Sequence, residues 1–315
     1  MNTTSDLADT AAPAKPRKPW VRRAKVLATL LVCVLVWSWL VRHADFRSLA
    51  TQVGRLPPWA WVLAGIGLLA GHGLRALRLQ HEWRHAGHVP WLHCLRIVLG
   101  HNALVLMLPL RSGEAGYLWA VRRQWGVDWR AAGVGLLRWR LQDIAVLLLL
   151  AVALLVPLPL AERAVLWIVA AALLVFLLPV VWRWLLARMG QGGARVPGGR
   201  GFWSGAGASA ANWTFKVMAN GGLLAALAGL PLDIALRGGL GGELAGVQPF
   251  QPPAGLGTYE GGIWLATGLP ASWQSAVIGA ALAVHAFSLS VALVAAALTQ
   301  VALPSSYRFT QEPCP

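Results

Sequence analysis

Long apolar runs alternate with short basic stretches along this chain, and the runs are of membrane-crossing length. Six segments reach the roughly 17–25 residues a helix needs to traverse a hydrocarbon core: about 24–41, 59–79, 134–156, 164–184, 205–230 and 273–303. Pro157 and Pro159 close the third and Pro231 closes the fifth, because proline cannot continue a helical hydrogen-bond ladder. The second begins with Trp59 and Trp61, side chains suited to the boundary between lipid and water. Two further apolar regions are broken. Residues 95–110 lead into Pro109-Leu110-Arg111-Ser112-Gly113-Glu114, and 115–121 lead out. Residues 234–250 lead into Pro253-Ala254-Gly255-Leu256-Gly257-Thr258-Tyr259-Glu260, and 261–269 lead out. A short apolar piece, a Pro/Gly turn and another short piece predict a re-entrant helical hairpin. Irregular, charged backbone at membrane depth is tolerated mainly where it lines a protected cavity.

The expected fold class is therefore an all-α integral membrane protein, with about six transmembrane helices and two re-entrant hairpins. Residues 1–23 form a polar and basic tail, 24–303 the membrane domain and 304–315 a second tail. Within the domain, 59–156 and 205–303 each read as span, hairpin, span. Basic residues set the orientation, because Lys and Arg collect on the cytoplasmic side. The tail before 24–41, the 75–96 region, the 111–140 region and the 183–200 loop are all arginine- or lysine-rich, whereas 231–272 holds only Arg237. That places the N-terminus in the cytoplasm and gives the two units opposite orientations, an inverted repeat of the kind that puts a site near the bilayer midplane. The 42–58 stretch fits poorly: it should lie outside yet carries Arg42, Arg47 and Arg55. No small-residue cleavage site follows 24–41, so this run reads as an uncleaved anchor.

Composition agrees. The 315 residues are 57% hydrophobic and 12% charged, against about 25% charged in an ordinary soluble domain. The net charge of +15 is accounted for by cytoplasmic loops that also attract anionic headgroups, and no nucleic-acid-binding motif accompanies it. Cys33, Cys94 and Cys314 have no metal-ligand spacing and are too few for a disulfide framework. No cofactor and no metal are expected.

The candidate site residues follow from the two units. Each offers a base, a Pro/Gly–Glu turn and a second base: Arg75, Glu114 and Arg138 in the first, Lys216, Glu260 and His285 in the second. Arg111 stands three residues before Glu114 and could grip a phosphate through its planar fork; Glu114 equally suits the first turn of a helix starting near Ala115. Gly255 and Gly257 permit a tight turn whose backbone N–H groups could hold an anion. Thr258 could cap the following helix, with Tyr259 beside it. Asn212, Lys216 and Asn220 share one helix face, and a lysine that deep in a span faces a partner, water or the nearer membrane surface. Arg78 and Arg140 read as ordinary boundary arginines, with Arg140 able to pair with Asp143 at i, i+3. His81-Glu82-Trp83-Arg84-His85 spells H-E-x-x-H, a zinc-protease pattern, but it lies at a helix end, contains a repelling arginine and has no plausible third ligand.

Gly73-Leu74-Arg75-Ala76-Leu77-Arg78, Gly100-His101-Asn102, the run from Leu108 to Glu114, Arg138 to Asp143, and the late P-A-G-L-G-T-Y-E stretch together resemble the lysylphosphatidylglycerol synthase transmembrane region, the flippase-like domain family. The resemblance covers about 25–303. Two positions depart from the family pattern: Ala254 stands for a glycine, and His285 for an expected arginine. The resemblance implies a stand-alone bacterial inner-membrane protein without the aminoacyl-transferase domain of the full synthases. It further implies a lipid translocase, not an enzyme, acting on an anionic phospholipid, a polyprenyl phosphate or a hopanoid-type lipid. The expected substrate-binding set is Arg75, Arg111, Glu114, Arg138, Asn212, Lys216, Gly255, Gly257, Tyr259, Glu260 and His285. The alternatives are a non-catalytic accessory protein of lipid-biosynthesis enzymes and an intramembrane zinc protease using His81, Glu82 and His85.

Overall fold

A computed structural model describes Ser38 and residues 46–108, 112–188, 199–248 and 252–303. The 24–41 segment, apart from Ser38, and Pro109-Leu110-Arg111 lie outside the described residues. All regular structure among the described residues is helical. The chain forms α1 (Phe46–Arg55), α2 (Pro58–Trp83), α3 (Trp91–Met107), α4 (Glu114–Trp125), α5 (Trp129–Leu155), α6 (Leu160–Arg188), α7 (Gly199–Ala228) and α8 (Leu232–Gly246). A single 3-10 turn (Pro253–Gly255), α9 (Thr258–Thr267), another 3-10 turn (Ala271–Trp273) and α10 (Gln274–Ala302) complete it.

Three of these helices are long and apolar enough to cross a membrane: Pro58–Trp83, Leu160–Arg188 and Ala271–Ala302. Helices α5 and α7 have 27 and 30 residues, ample length at about 1.5 Å per residue. They are less apolar because α5 carries Arg138, Arg140 and Asp143, and α7 carries Asn212, Lys216, Asn220 and several glycines. Of these, Arg140, Asp143, Lys216 and Asn220 build the site described below. The 42–58 stretch contains α1, an amphipathic helix that packs on α10 and α7.

The order long, short, short, long occurs twice: 26, 17, 12 and 27 residues in α2–α5, then 30, 15, 10 and 29 in α7–α10. Each set has its own core. Ala76, Leu79, Cys94, Val98, Tyr117, Val121 and Trp139 form the first. Leu224, Leu227, Ala235, Ile263, Val277, Ala281 and Val284, joined by Ala64 of α2, form the second. A smaller cluster of Val146, Leu147, Trp213, Val217 and Leu240 joins α5, α7 and α8. Helix α6 lies at the periphery, with its most apolar stretch wholly unburied.

Lipid tails are as apolar as leucine, so helices in a membrane associate through close packing of small residues more than through apolar burial. Gly67 and Gly71, four apart on α2, face Ala219 and Asn212 of α7. In the second hairpin Gly241 of α8 lies against Gly262 of α9 so closely that a Cβ on either would strike the other's carbonyl oxygen. In the first hairpin a Cβ at Gly113 would strike the backbone of Leu104. Glycine at these points is what lets each hairpin close. The 3-10 turn that precedes α9 packs on α3, so the second hairpin reaches the first.

Candidate functional site

The second set of helices supplies a closed hydrogen-bond network. Lys216 Nζ lies 2.5 Å from Glu243 Oε2. Asn220, one turn on, donates to Glu243 Oε1 at 2.8 Å and to the Tyr259 hydroxyl at 3.0 Å, and its own carbonyl accepts from Ser288 at 2.8 Å. The Tyr259 hydroxyl donates in turn to Glu243 at 3.3 Å. The Tyr259 ring stacks on His285 with centroids 4.2 Å apart, and His285 Nδ1 lies 2.7 Å from Glu260 Oε1. The other Glu260 oxygen accepts from the Gly257 N–H at 2.5 Å, the reciprocal half of a capping box. Glu260 is fully buried and holds the start of α9 and His285 together.

The first set is different in kind. Asp143 is the meeting point of three arginines: Arg78 at 3.7 Å, Arg140 at 3.9 Å and Arg75 at 4.0 Å. Ser209 donates to Asp143 and accepts from Arg78. Arg78 also donates to Gln142 at 2.6 Å, and Gln142 donates to the Phe202 carbonyl at 2.8 Å. Arg140 reaches Glu114 at 2.9 Å. Two carboxylates among three guanidinium groups leave a positive excess. Arg75 Nε, Arg140 Nε and His72 Nδ1 are buried without a hydrogen-bond partner among the described residues. Asp143 Oδ2 and both Glu82 oxygens are likewise without a hydrogen-bond partner, and unpaired buried polar groups are costly, so this half is left less satisfied than the other.

The two networks face each other across a cavity of about 120 Å³. Its wall includes Arg75, Arg140 and Lys216 against one carboxylate, Glu243, with His72, His101 and His285 adding further nitrogen. Of the predicted site residues, Arg75, Lys216, Gly255, Tyr259 and His285 line it. Glu114 and Glu260 stand one layer behind, each holding a basic residue, Arg140 and His285 respectively, that does. Arg111 lies outside the described residues.

Several expectations need correction. Arg138 pairs with Glu82 at 2.8 Å beside the Trp83–Tyr117 hydrogen bond; Arg140, two residues on, is the arginine at the cavity, so the boundary reading belongs to neither Arg140 nor Arg78. Asn212 is buried at the α2–α7 crossing, where its Oδ1 would lie 2.9 Å from a Cβ on Gly71. The Gly255 and Gly257 N–H groups are already committed, to the Pro252 carbonyl at 2.9 Å and to Glu260, so anion capture falls to side chains. Gly257, not Thr258, is the N-cap of α9; the Thr258 hydroxyl donates to the Gly255 carbonyl. In H-E-x-x-H, α2 ends at Trp83, His81 and His85 are exposed, and Glu82 is buried against Arg138. Among the described residues no group of three His, Cys, Asp or Glu could hold a metal ion.

Sequence reasoning missed Glu243 and His72, and named His101 only within a motif that carries the resemblance, not as a site residue. Glu243 had a usable signal: a lone carboxylate in the glycine-rich 234–250 stretch is the natural partner for Lys216, a lysine expected deep in a span. His72 had none, because nothing in its local sequence separates it from a packing residue; His101 stood in the Gly100-His101-Asn102 motif. No protein-family model matches the chain, and no curated protein matches it.

Proposed function

We propose that the protein is a flippase-like lipid translocase of the bacterial inner membrane, holding an anionic amphiphile in the cavity between its two hairpins. The observation that carries this reading is the cavity wall itself: three fixed cations, Arg75, Arg140 and Lys216, to one carboxylate, with unpaired buried guanidinium nitrogens on the cationic side. In this reading α2, α5, α6, α7 and α10 together with the 24–41 segment cross the bilayer, the two hairpins are re-entrant, and the units are inverted. Bases at the cavity bind a phosphate or comparable headgroup by charge-assisted hydrogen bonds. Glu243, Asp143, Glu114 and Glu260 keep the bases ordered between binding events. The repeated helix order and the contact of the second hairpin with α3 support alternating access by movement of one unit against the other.

Purified full-length protein in vesicles should move a fluorescent phosphatidylglycerol between leaflets, read by protection from a membrane-impermeant quencher. Lys216→Met should slow this by about 10-fold or more, the loss of one charge-assisted bond worth about 1.5–3 kcal/mol. A rate equal to that of protein-free vesicles in the unaltered protein, or one indifferent to Lys216→Met, would overturn the reading.

A further inference from the structure

A second and larger cavity, about 630 Å³, opens between α3, α4 and α10. Its size lies in the range of about 300–1,000 Å³ typical of small-molecule sites, whereas the polar cavity has room for only a few water-sized groups, at about 30 Å³ each. The two adjoin: His101 lines both. Along α3 the larger groove runs from His93 to Met107, roughly 20 Å at 1.5 Å per residue. That somewhat exceeds the depth of one leaflet, about half of a 30 Å core or roughly 15 Å, so the groove is long enough for one hydrocarbon chain. Its outer lip is apolar, with Leu104 and Met107 exposed by 43% and 57%. Arg96 and Arg123 both line the other end, the Arg123 guanidinium 5.0 Å over the Trp119 ring. Neither has an acidic partner among the described residues, and Arg96 Nε is buried without a hydrogen-bond partner.

An apolar slot open at the side and closed by two arginines is complementary to one kind of molecule. The geometry points to a chain-binding subsite for an anionic membrane lipid, one acyl or isoprenoid chain in the groove and the negative headgroup between Arg96 and Arg123. This deepens the lipid reading and rests on it for the class of ligand. It adds a station outside the polar cavity, with His101 as the shared wall.

The test uses the full chain in phosphatidylcholine vesicles containing a phosphatidylglycerol or a phosphatidylcholine probe with a photoactivatable chain, crosslinks being mapped by peptide mass spectrometry. Labelling of the groove faces of α3, α4 and α10 should favour phosphatidylglycerol by about tenfold, equivalent to about 1.4 kcal/mol. Arg96→Gln with Arg123→Gln should bring it to the phosphatidylcholine level. Ala297→Trp, at an exposed groove position, should suppress labelling by both probes, whereas Leu298→Trp on the outer face should not. Equal labelling by the two probes, or labelling unaffected by Ala297→Trp in protein that elutes as the unaltered chain does, overturns the inference. Selective groove labelling in protein that moves no lipid supports the subsite and overturns only the translocation reading. Movement without selective labelling does the reverse.

Discussion

The two halves of the molecule repeat one helix order but treat charge in opposite ways. In α2–α5, three arginines crowd one aspartate, and Glu114 is partly open, its side chain 28% exposed. In α7–α10, each basic side chain of the network has a carboxylate of its own: Glu243 for Lys216, and Glu260 for His285. Around them, hydrogen bonds from Asn220, Tyr259, Ser288 and the Gly257 N–H take up the remaining oxygens. The first half presents unspent positive charge; the second holds a shape against which that charge can be used. Buried polar networks fix geometry when every member is satisfied, and an under-satisfied cluster is where a ligand gains most.

The strongest way to break this comparison is to exchange the fates of the two glutamates. Glu260→Ala removes a fully buried carboxylate, strips the cap from α9 and leaves His285 unpaired. Breaking a buried pair from one side costs about 3–5 kcal/mol, so a large fall in thermal stability of the detergent-solubilised protein is expected. Glu114→Ala breaks a pair whose side chains are 26% and 28% exposed and should cost about 1 kcal/mol or less. Similar melting shifts for the two would show that the halves are not divided into scaffold and binder.

The next test is a pair two residues apart. Arg140 lines the polar cavity and Arg138 is locked to Glu82. Arg140→Gln should lower the transbilayer rate by about 10-fold while leaving the melting temperature nearly unchanged, one charge-assisted contact being worth about 1.5–3 kcal/mol. Arg138→Gln should do the opposite: a buried Glu82 without its cation destabilises the fold, yet protein that remains folded should transport at close to the normal rate. A transport defect confined to Arg138→Gln would place the cavity on the wrong arginine.

That pair also marks how far the sequence could be read. Helix positions were legible because apolar length and proline stops are local properties: Pro58–Trp83, Leu160–Arg188 and Ala271–Ala302 fall on predicted spans. The interrupted regions were legible as helix pairs because proline and glycine mark turns. Which arginine faces the cavity was not, since Arg138 and Arg140 differ by about 200° of helix rotation and only tertiary packing says which side is which. The partners of Arg138 and Lys216, Glu82 and Glu243, are distant in sequence or hidden in a misleading motif. The anion-binding role expected of Gly255 and Gly257 failed for a related reason: a glycine turn predicts available N–H groups, but here the turn's own carbonyl and Glu260 take them first.

The smallest effect concerns Ala254, where the resemblance led one to expect glycine. It is the only non-glycine residue with positive φ among the described residues, at 56°, and it lines the polar cavity. A left-handed conformation costs an L-residue about 1–2 kcal/mol. Ala254→Gly relieves that strain and gives back about 0.4–1 kcal/mol through the freer unfolded chain. The expected net result is a melting temperature unchanged or slightly raised. Removing the methyl also widens the cavity wall beside Tyr259, so the substitution should relax headgroup size selectivity: a bulkier anionic headgroup should gain transport rate relative to phosphatidylglycerol. If Ala254→Gly instead destabilises the protein and leaves selectivity alone, the methyl is a packing contact that outweighs its backbone strain, and the second half would then contribute shape at this turn without setting what the first half binds.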